Sequence, residues 1–294
     1  MLISMTGFGQ GVATTAGWRV QVAVSSVNHK GQQITVRGDL RDATLEDELR
    51  RSVRERVGRG AVTVQVQVAG DAATGIDRER IATAWRELAG LAQVLGAPPP
   101  TLDVAATLVQ RSGAGSENGL PAEVAAAVRV ALATALAAHA DARQAEGQRL
   151  TTWFQAEAAR LRQLVASMRQ EADARLPRLA ATLIERVRTA VAELGQQATA
   201  ITPEILVREI ALIADRIDVS EELTRLASHL VALDQILAAA PGDDQGRKLE
   251  FLLQELGREI NTTGAKANDA RLTALVLEAK LAVERLREQN ANVA

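Results

Sequence analysis

Cysteine and tyrosine are absent from this chain of 294 residues, and its only aromatic side chains belong to three tryptophans and three phenylalanines. A chain without cysteine forms no disulfide and offers no thiolate ligand to a metal ion. Six aromatic residues are too few for base stacking to be the main way of holding a single-stranded nucleic acid. These absences exclude a disulfide scaffold, a thiolate metal site and an aromatic stacking platform.

Long apolar runs and a strong net charge are also missing. The first ten residues, MLISMTGFGQ, lack the basic start and the apolar core of a signal peptide, and Arg129 and His139 interrupt the alanine-rich stretch 122–142. The formal net charge is −2, so a polyanion must be met by local basic patches and not by the field of the whole protein. We expect a soluble, cytoplasmic protein without a membrane partner.

The first 120 residues show patterns of strands and helices. Apolar and polar residues alternate in short runs that are bounded by glycine or polar residues. The predicted strands are 3–13, 18–24, 33–37 and 62–68. The predicted helices are 44–57, with Thr44 as N-cap, and 77–95. The order β-β-β-α-β predicts an α+β domain at 1–120, with a mostly antiparallel sheet that helices cover on one face.

After residue 120 the composition changes to Ala, Leu, Arg, Glu and Gln with helical periodicity. Pro177 interrupts the pattern, so 121–200 is predicted to be a long helical hairpin and 201–294 a carboxyl-terminal helical domain. The polar segment 110–119 lacks the Gly-Lys-Ser/Thr ending of a phosphate-binding loop and is predicted to be a mobile linker. The fold class is therefore α+β, with a carboxyl-terminal all-helical region of long antiparallel helices.

Two amphipathic patterns in the carboxyl-terminal domain carry ordered polar rows. Spacings of 4, 3 and 4 residues put one row on a single side of a helix: Asp218, Glu222, Arg225 and His229. The second row is Lys248, Glu255, Glu259 and Thr262. Because only the short break at 241–244 separates the two patterns, we expect antiparallel helices whose polar rows face a common groove.

Each polar row lies beside an apolar stripe that we predict to be buried. The first stripe is Leu212, Val219, Leu223, Leu226 and Leu230. The second stripe is Leu249, Leu253, Leu256 and Ile260. A final helix at 268–290 is predicted to turn Leu272, Leu275, Ala279, Ala282 and Leu286 inward.

Glu255 and Glu259 lie one turn apart on one helix face, where like charges repel by a few tenths of a kcal/mol unless a cation intervenes. Carboxylate oxygens suit Mg²⁺ and Mn²⁺, and Mn²⁺ also accepts imidazole. The candidate ligand set for a divalent cation is Asp218, Glu222, His229, Glu255 and Glu259. The alternative is a solvated surface on which Glu255 pairs with Arg258 or Lys248, Glu222 pairs with Arg225, and His229 caps an exposed face. The sequence contains no HExxH motif and no recognisable Ser/His/Asp set, and it indicates no small-molecule cofactor.

Six motifs, spread in order over the whole chain, closely resemble those of the YicC/YloC family. They are SMTGFG at 4–9, SVNHK at 26–30, RQAEG at 143–147, RIDVSEEL at 216–223, GRKLEFLLQE at 246–255 and REINT at 258–262. The resemblance implies a metal-dependent bacterial endoribonuclease that cuts single-stranded RNA. It also implies an amino-terminal α+β region, a helical carboxyl-terminal region and a homohexamer.

With metal-dependent RNA cleavage as the expected activity, we assign roles to the polar groups from their chemistry, with Mn²⁺ or Mg²⁺ as the cation. The candidate metal ligands are Asp218, Glu222, Glu255 and Glu259. The candidate catalytic residues are Glu222, His229, Glu255 and Glu259, with His229 as a ligand or a proton carrier. The candidate RNA contacts are Asn28, His29, Lys30, Arg216, Arg247, Lys248, Arg258 and Lys266. The alternative for 28–30 is a polar turn with a local cap.

The chain departs from the family pattern at several positions. Ala23 and Ser25 stand where an acidic residue and an arginine are usual, and Ala61 stands where lysine is usual. The acidic and imidazole row is retained in full. Because the replaced groups include cations that meet phosphate, these departures bear on RNA affinity more than on metal chemistry.

Cleavage of RNA has two possible routes. In one, a divalent ion activates water and leaves a 5′-phosphate; in the other, the 2′-hydroxyl attacks with His229 or His29 as general base. The sequence leaves both routes open, and the metal dependence of the family favours the first. Two other classes also fit the polar rows: a non-catalytic RNA-binding adaptor, and a helical scaffold in which the rows lock an interface.

Overall fold

The computed structural model describes residues 1–15, 17–38, 40, 42–70, 78–112, 120–194, 203–242 and 244–294. The chain forms two compact units: one is Met5–Glu146, and the other combines Met1–Ser4 with Gly147–Ala294. The first unit contains a sheet and helices, and the second contains only helices among its described elements. The predicted α+β fold class is confirmed, while the units divide at Glu146 and not at residues 120 and 200.

The sheet has four strands in the order β1-β2-β4-β3. They are β1 (Gly7–Thr15), β2 (Trp18–Val27), β3 (Gln32–Arg37) and β4 (Gly60–Gly70). β2 pairs antiparallel with both β1 and β4, whereas β3 and β4 are parallel. Helix α1 (Ala43–Arg56) lies between β3 and β4 in the chain and provides the crossover that a parallel pair requires. The prediction of a mostly antiparallel sheet is therefore confirmed.

Two predicted element starts are wrong. β1 begins at Gly7 and not at residue 3, because Ser4 pairs with Val293 in a separate bridge. α1 begins at Ala43, and its N-cap is Asp42, whose carboxylate accepts the N–H groups of Thr44 and Leu45 at 3.0 and 3.1 Å. Thr44 therefore lies inside the first turn. A carboxylate satisfies the free N–H groups and also the positive end of the helix dipole.

One face of the sheet packs against α1 and the first part of a long helix, α4 (Ala122–Leu194). Because side chains alternate along a strand, every second residue points to this face. The buried valines are Val20, Val22, Val24, Val62, Val64 and Val66. Helices α2 (Arg78–Leu95) and α3 (Leu102–Ser112) pack on each other. The sequence did not predict α3; the predicted linker 110–119 begins inside it, and residues 113–119 lie outside the described residues.

β1 lies against the backbone of α4 because β1 carries glycine at alternate positions. A Cβ atom on Gly9 would lie 2.1 Å from the carbonyl oxygen of Ala135, and one on Gly11 would lie 2.0 Å from that of Ala131. Neither distance is tolerated by a real side chain, so only glycine fits. Two residues of a strand rise about 6.7 Å and four residues of a helix rise about 6.0 Å. Each alternate glycine of β1 therefore lies opposite every fourth residue of α4.

His139 lies four residues after Ala135, on the same side of α4, and is 1% exposed. Its Nε2 atom lies 2.8 Å from the hydroxyl of Ser26, which donates to the carbonyl oxygen of Met5 at 2.7 Å. Since the hydroxyl hydrogen is used in that bond, the ring must donate to Ser26. Burial, and after it the charge of Arg143, lower the pKa of His139 from 6.5 to about 4.

The helical unit contains α4 beyond Glu146 and four shorter helices. They are α5 (Pro203–Ile217), α6 (Ser220–Ala238), α7 (Gln245–Lys266) and α8 (Ala270–Asn290). The apolar stripes of α6, α7 and α8 form one core with α4, in which the predicted stripe of α7 is fully buried. The stripe predicted for α6 is wrong at Leu212, which is 46% exposed. Leu212 belongs to α5, and the break at Asp218 and Val219 separates that helix from α6.

The predicted hairpin at 121–200 is also wrong, because Ala122–Leu194 is one continuous helix with Pro177 inside it. A proline removes one backbone hydrogen bond and bends a helix, but chain reversal also needs residues that form a turn. Leu176 and Arg178, which flank the proline, both favour helix. The helix therefore continues.

Within Ala122–Glu193 an 18-residue window is apolar enough, by length and composition alone, to cross a membrane. Half of that window is buried inside the protein. The core helix of a soluble protein passes the same test, so the window carries no argument for a membrane.

The buried state of His139 predicts a loss of stability in mild acid. A pKa lowered from 6.5 to about 4 means that the unfolded chain takes up the proton first. The stabilisation is complete above pH 6.5 and is lost as the pH falls toward 4, with a maximum loss of about 3 kcal/mol. Urea unfolding of a Trp153→Phe chain, in which Trp18 and Trp85 report on the unit Met5–Glu146, measures this.

In His139→Gln this component of the pH dependence should disappear, because glutamine still donates to Ser26 but does not titrate. The matched control is His29→Gln, at an exposed position. An unchanged pH profile in the His139 variant would contradict the assignment.

Candidate functional site

Three side-chain contacts show how α6 and α7 lie against each other. Glu222 pairs with Lys266 at 2.8 Å, Arg225 lies 3.5 Å from Glu259, and His229 lies beside Glu255. Residue numbers rise along one helix as they fall along the other, so the helices are antiparallel. The predicted common groove between two polar rows is therefore present.

At one end of this groove His229, Glu255 and Glu259 form a cluster, which we call the HEE cluster. One ligand atom from each side chain lies within 4.8 Å of the other two. Glu259 is buried, and His229 and Glu255 are half-buried. The cluster opens into a cleft of about 370 Å³, whose lining residues are Thr224, Arg225, Ser228, His229, Glu255, Arg258 and Glu259.

The local sequence explains why these groups converge. Glu255 and Glu259 are four residues apart, and the fully buried Leu256 and Ile260 anchor that part of α7 in the core. On α6, His229 precedes the buried Leu230. Burial of the leucine stripes of both helices leaves the adjacent polar residues at the rim of the contact. The HEE cluster is therefore held by the hydrophobic core beneath it.

Two arginines neighbour the HEE cluster. Arg225 bonds to Glu221 and also lies 3.5 Å from Glu259; Glu221 first, and then Glu259, raise its pKa. Arg258 approaches Glu255 at only 4.0 Å, at the limit of an ion pair, and is largely exposed. The predicted pairing of Glu222 with Arg225 is wrong, because Lys266 takes Glu222 and Arg225 turns to Glu221 and Glu259.

Further along the groove, Glu222 and Lys266 form a second pair. Glu222 is 6% exposed, and while its Oε1 atom accepts from Lys266, its Oε2 atom has no hydrogen-bond partner among the described residues. The bond to Glu222 raises the pKa of Lys266. The charges of Lys266 and Glu222 therefore neutralise each other, so neither is available to a ligand.

Asp218 does not join the HEE cluster, because it lies between α5 and α6, where its charge interacts with Lys266 at the other end of the groove. Its Oδ1 atom accepts the N–H of Ser220 at 2.9 Å and the Ser220 hydroxyl at 2.5 Å. These bonds lower the pKa of Asp218. The structure thus brings three of the five predicted ligands together and leaves Asp218 and Glu222 elsewhere.

Family models match nearly the whole chain. The amino-terminal region of the family described as "Endoribonuclease YicC-like" matches residues 2–152, and its carboxyl-terminal region matches residues 168–294. The chain belongs to this family. The recognition made from the six sequence motifs is confirmed.

The chain is similar to curated proteins, among them the following two. A "Probable endoribonuclease YicC" of Clostridioides difficile (strain 630) is 28% identical over 306 residues, which cover 100% of both chains. A protein of the same name from Haemophilus influenzae (strain ATCC 51907 / DSM 11121 / KW20 / Rd) is 44% identical over 91 residues, or 31% of each chain. Similarity to the first relative spans the whole length of both proteins.

The predicted RNA contacts of this YicC-like chain lie in several places. Asn28, His29 and Lys30 are exposed in the turn after β2, where the His29 ring lies 3.1 Å from the carbonyl oxygen of Gly31. The exposed Arg216 lies in the last turn of α5. Arg258 borders the HEE cleft.

The remaining predicted contacts, Arg247 and Lys248, are exposed in the first turn of α7. Lys248 lines a separate cavity of about 310 Å³ between the end of α6 and the start of α7. Of the cations predicted on the helical unit, Arg258 is therefore the one at the HEE cleft.

Arg175 is a structural residue that the sequence reasoning missed. It is 5% exposed on α4 and donates to the carbonyl oxygens of Lys266, Ala267 and Ile217, at the ends of α7 and α5. Burial lowers its pKa, while Asp269 and Asp218 oppose the shift. A cation suits the negative ends of two helices. One signal in the sequence could have revealed this role. Arg175 follows Met168 and Ala172 at helical spacing, so it lies on the apolar side of the helix where a charged residue is unexpected.

The Glu222–Lys266 pair generates a prediction about stability. Lys266→Gln leaves the buried Glu222 without its cation, so the free energy of unfolding should fall. We expect the free energy of unfolding to fall by about 2 kcal/mol. This is less than the roughly 3–5 kcal/mol that is lost when a fully buried pair is broken, because Lys266 is one-third exposed. Urea unfolding followed by Trp153 in a Trp18→Phe, Trp85→Phe chain reports on the helical unit.

Adding Glu222→Gln should restore at least half of the loss, because the buried charge is then removed. Lys280→Gln, at an exposed position of α8, is the matched control and should change little. Equal losses in the single and double variants would contradict the pairing.

Proposed function

We propose that this protein is a divalent-metal-dependent endoribonuclease that hydrolyses phosphodiester bonds in single-stranded RNA at the HEE cluster. The observation that carries the proposal is the convergence of His229, Glu255 and Glu259 within 4.8 Å beside two arginines. Membership of the YicC-like endoribonuclease family indicates RNA as the substrate. Cytoplasmic localisation stays a prediction from the sequence.

The donor set of the HEE cluster fits a divalent cation. Two carboxylates and one imidazole are the ligand types that Mn²⁺ accepts, and the carboxylates alone suit Mg²⁺. Glu259 is 4% exposed and has only a 3.5 Å contact to a guanidinium, so a cation would offset the cost of its buried charge. A bound ion supplies positive charge to phosphate oxygens and Lewis acidity toward water.

The other residues of the cleft have roles that follow from their charge. Arg258 is exposed and only weakly paired with Glu255, so its guanidinium is available to a phosphate oxygen. Arg225 is held by Glu221 and Glu259 and adds positive potential at the same wall. Together these arginines would position a polyanionic backbone over the HEE cluster.

His229 distinguishes the two chemical routes. Because its ring belongs to the HEE cluster, it can serve as a ligand beside the two carboxylates. This arrangement favours hydrolysis with an ion over attack by the 2′-hydroxyl with His229 as general base. The product ends separate the routes, since the first leaves a 5′-phosphate.

The adaptor and scaffold alternatives make different predictions for purified protein. An adaptor binds RNA without cutting it, and a scaffold does neither. Incubation with labelled single-stranded RNA, with Mn²⁺ or with EDTA, separates all three functions. Cutting that requires the metal supports the enzyme.

Glu255→Gln and Glu259→Gln should each reduce Mn²⁺-dependent cleavage by orders of magnitude. Each substitution preserves size and helix propensity but removes a ligand charge, so fold and assembly should be retained. Gel analysis of the labelled RNA gives the rate, and thermal unfolding reports on the fold. The matched control is Glu250→Gln on the same helix, at an exposed position that lies well around α7 from the HEE cluster.

Near wild-type, Mn²⁺-dependent cutting by both variants at an unchanged melting temperature would contradict the metal assignment. The carboxylates to test next would be Asp218 and Glu222. Loss of cutting in the Glu250 control would instead point to a general effect of charge on α7.

We further propose that the helical half assembles the chain into a homohexamer. Two of its helices carry several exposed apolar side chains: Ile184 and Val191 on α4, and Ile205, Val207 and Leu212 on α5. Exposed apolar patches of this kind mark interaction surfaces. A closed ring of identical subunits would cover them.

Light scattering should give a particle of about six times the 31.3 kDa of one chain. Val207→Lys should dissociate the particle, because a charge would be buried at the interface. Val231→Lys, which alters an equally apolar exposed position on α6, is the control and should leave assembly intact. A stable monomer at micromolar concentration would refute the hexamer.

A further inference from the structure

The face of the sheet opposite α1 and α4 carries no packed helix among the described residues. Alternate residues on this face are exposed or half-buried, while their neighbours in sequence form the valine core. Phe8, Val12 and Val27 are 58%, 43% and 58% exposed. We call this surface the open sheet face.

Strand pairing arranges the open sheet face in rows across the four strands. One row is Phe8, Ser25, Thr63 and Thr35. The next row is Gln10, Ala23, Gln65 and Arg37. A third row is Val12, Gln21 and Gln67, and Arg19 follows beside Thr14. Neighbouring strands are about 4.8 Å apart and successive rows are about 6.7 Å apart. The rows therefore form one continuous surface, and most of its side chains are polar.

The charge of the open sheet face differs from that of the chain. The four strands contain no aspartate or glutamate, although the whole chain has 36 acidic residues and a net charge of −2. The charged side chains of the strands are Arg19 and Arg37, and both lie on the open sheet face. The face is therefore a local basic patch on a weakly acidic protein.

The hydrogen-bonding groups of this face are also unused. Gln10, Gln21, Gln33, Gln65 and Gln67 make no side-chain hydrogen bond to another described residue, and neither Arg19 nor Arg37 forms an ion pair with one. By contrast Gln32, which points the other way, donates to the carbonyl oxygens of Arg54 and Val57. Amides that serve the fold are bonded, whereas those on the open sheet face remain available to a ligand.

We propose that the open sheet face binds the backbone and base edges of single-stranded RNA, which rests on the proposed function for the identity of the substrate. Arg19 and Arg37 meet phosphates, and the glutamine amides donate to and accept from sugar hydroxyls and base edges. Phe8 provides a single stacking surface. Binding here depends on charge and hydrogen bonds, which agrees with the few aromatic residues of the chain.

A second copy of the chain fits this face less well. The cores of self-association interfaces are apolar, but the exposed apolar side chains here lie apart and are outnumbered by amides and hydroxyls. A protein partner would also have to supply carboxylates for two arginines that form no ion pair with another described residue. The absence of acidic residues from all four strands favours a polyanion instead.

Binding of a fluorescein-labelled single-stranded RNA to the full-length protein in EDTA tests the proposal without cleavage. Arg19→Gln, Arg37→Gln should weaken binding at least tenfold and make the slope of log K against log salt shallower by about 1.4, the value for two lost phosphate contacts. Gln65→Glu, Gln67→Glu changes no shape and should weaken binding at least as much, because it places two carboxylates on the face.

Two controls separate this inference from the proposed function. Gln93→Glu alters an exposed glutamine on α2 and should bind normally. Glu255→Gln should lose cleavage but keep binding in EDTA. If the wild-type chain binds RNA but never cuts it, the proposed function fails while the weakened sheet variants still support this inference.

Wild-type affinity in both sheet variants would overturn the inference, as would failure of the wild-type chain to bind RNA. Light scattering of the same variants measures particle size and tests whether the face binds a second copy of the chain instead. Unchanged RNA affinity together with a smaller particle would mean that the open sheet face contacts a second copy of the chain, which also overturns the proposal.

Discussion

Leucine packing between α6 and α7 determines where every charged group of the candidate site lies. Leu223, Leu226 and Leu230 meet the stripe of α7 at essentially zero exposure, and each fully buried leucine is worth about 1.5–3 kcal/mol. A polar contact at the rim of the groove contributes less. The core therefore sets the register of the two helices, and the glutamates, arginines and histidine take the positions that this register leaves to them.

Charge balance along the groove follows from that register. The carboxylates of Glu222 and Glu259 are buried, and burial of a charge is costly unless it is paired. Lys266 pairs directly with Glu222. Arg225 lies 3.5 Å from Glu259 and is shared between Glu259 and Glu221. The groove thus has a neutralised end and an end with excess negative charge beside His229. An added cation would be stabilised most at the second end.

In the sheet unit the decisive constraint is steric. Gly9 and Gly11 allow β1 to lie directly on the α4 backbone, so the valine face is sealed and the opposite face is left for other contacts. The parallel pairing of β3 with β4 widens that opposite face to four strands. Polar residues are expected on the solvated face of such a sheet, and five glutamines and two arginines occupy it. The feature that solvation alone does not require is the sign of the charge, since the four strands carry arginine but no aspartate or glutamate.

The sequence by itself determined the periodic features: the β-β-β-α-β order, the stripe of Leu249, Leu253, Leu256 and Ile260, and the family motifs. These depend on local spacing, which is readable without coordinates. Only the tertiary structure separated Asp218 from the HEE cluster, paired Glu222 with Lys266 and buried Arg175 at two helix ends. Those outcomes depend on helix breaks and on partners distant in sequence. Periodicity cannot report them, because it fixes which face a residue occupies on its own helix but not which residue lies opposite.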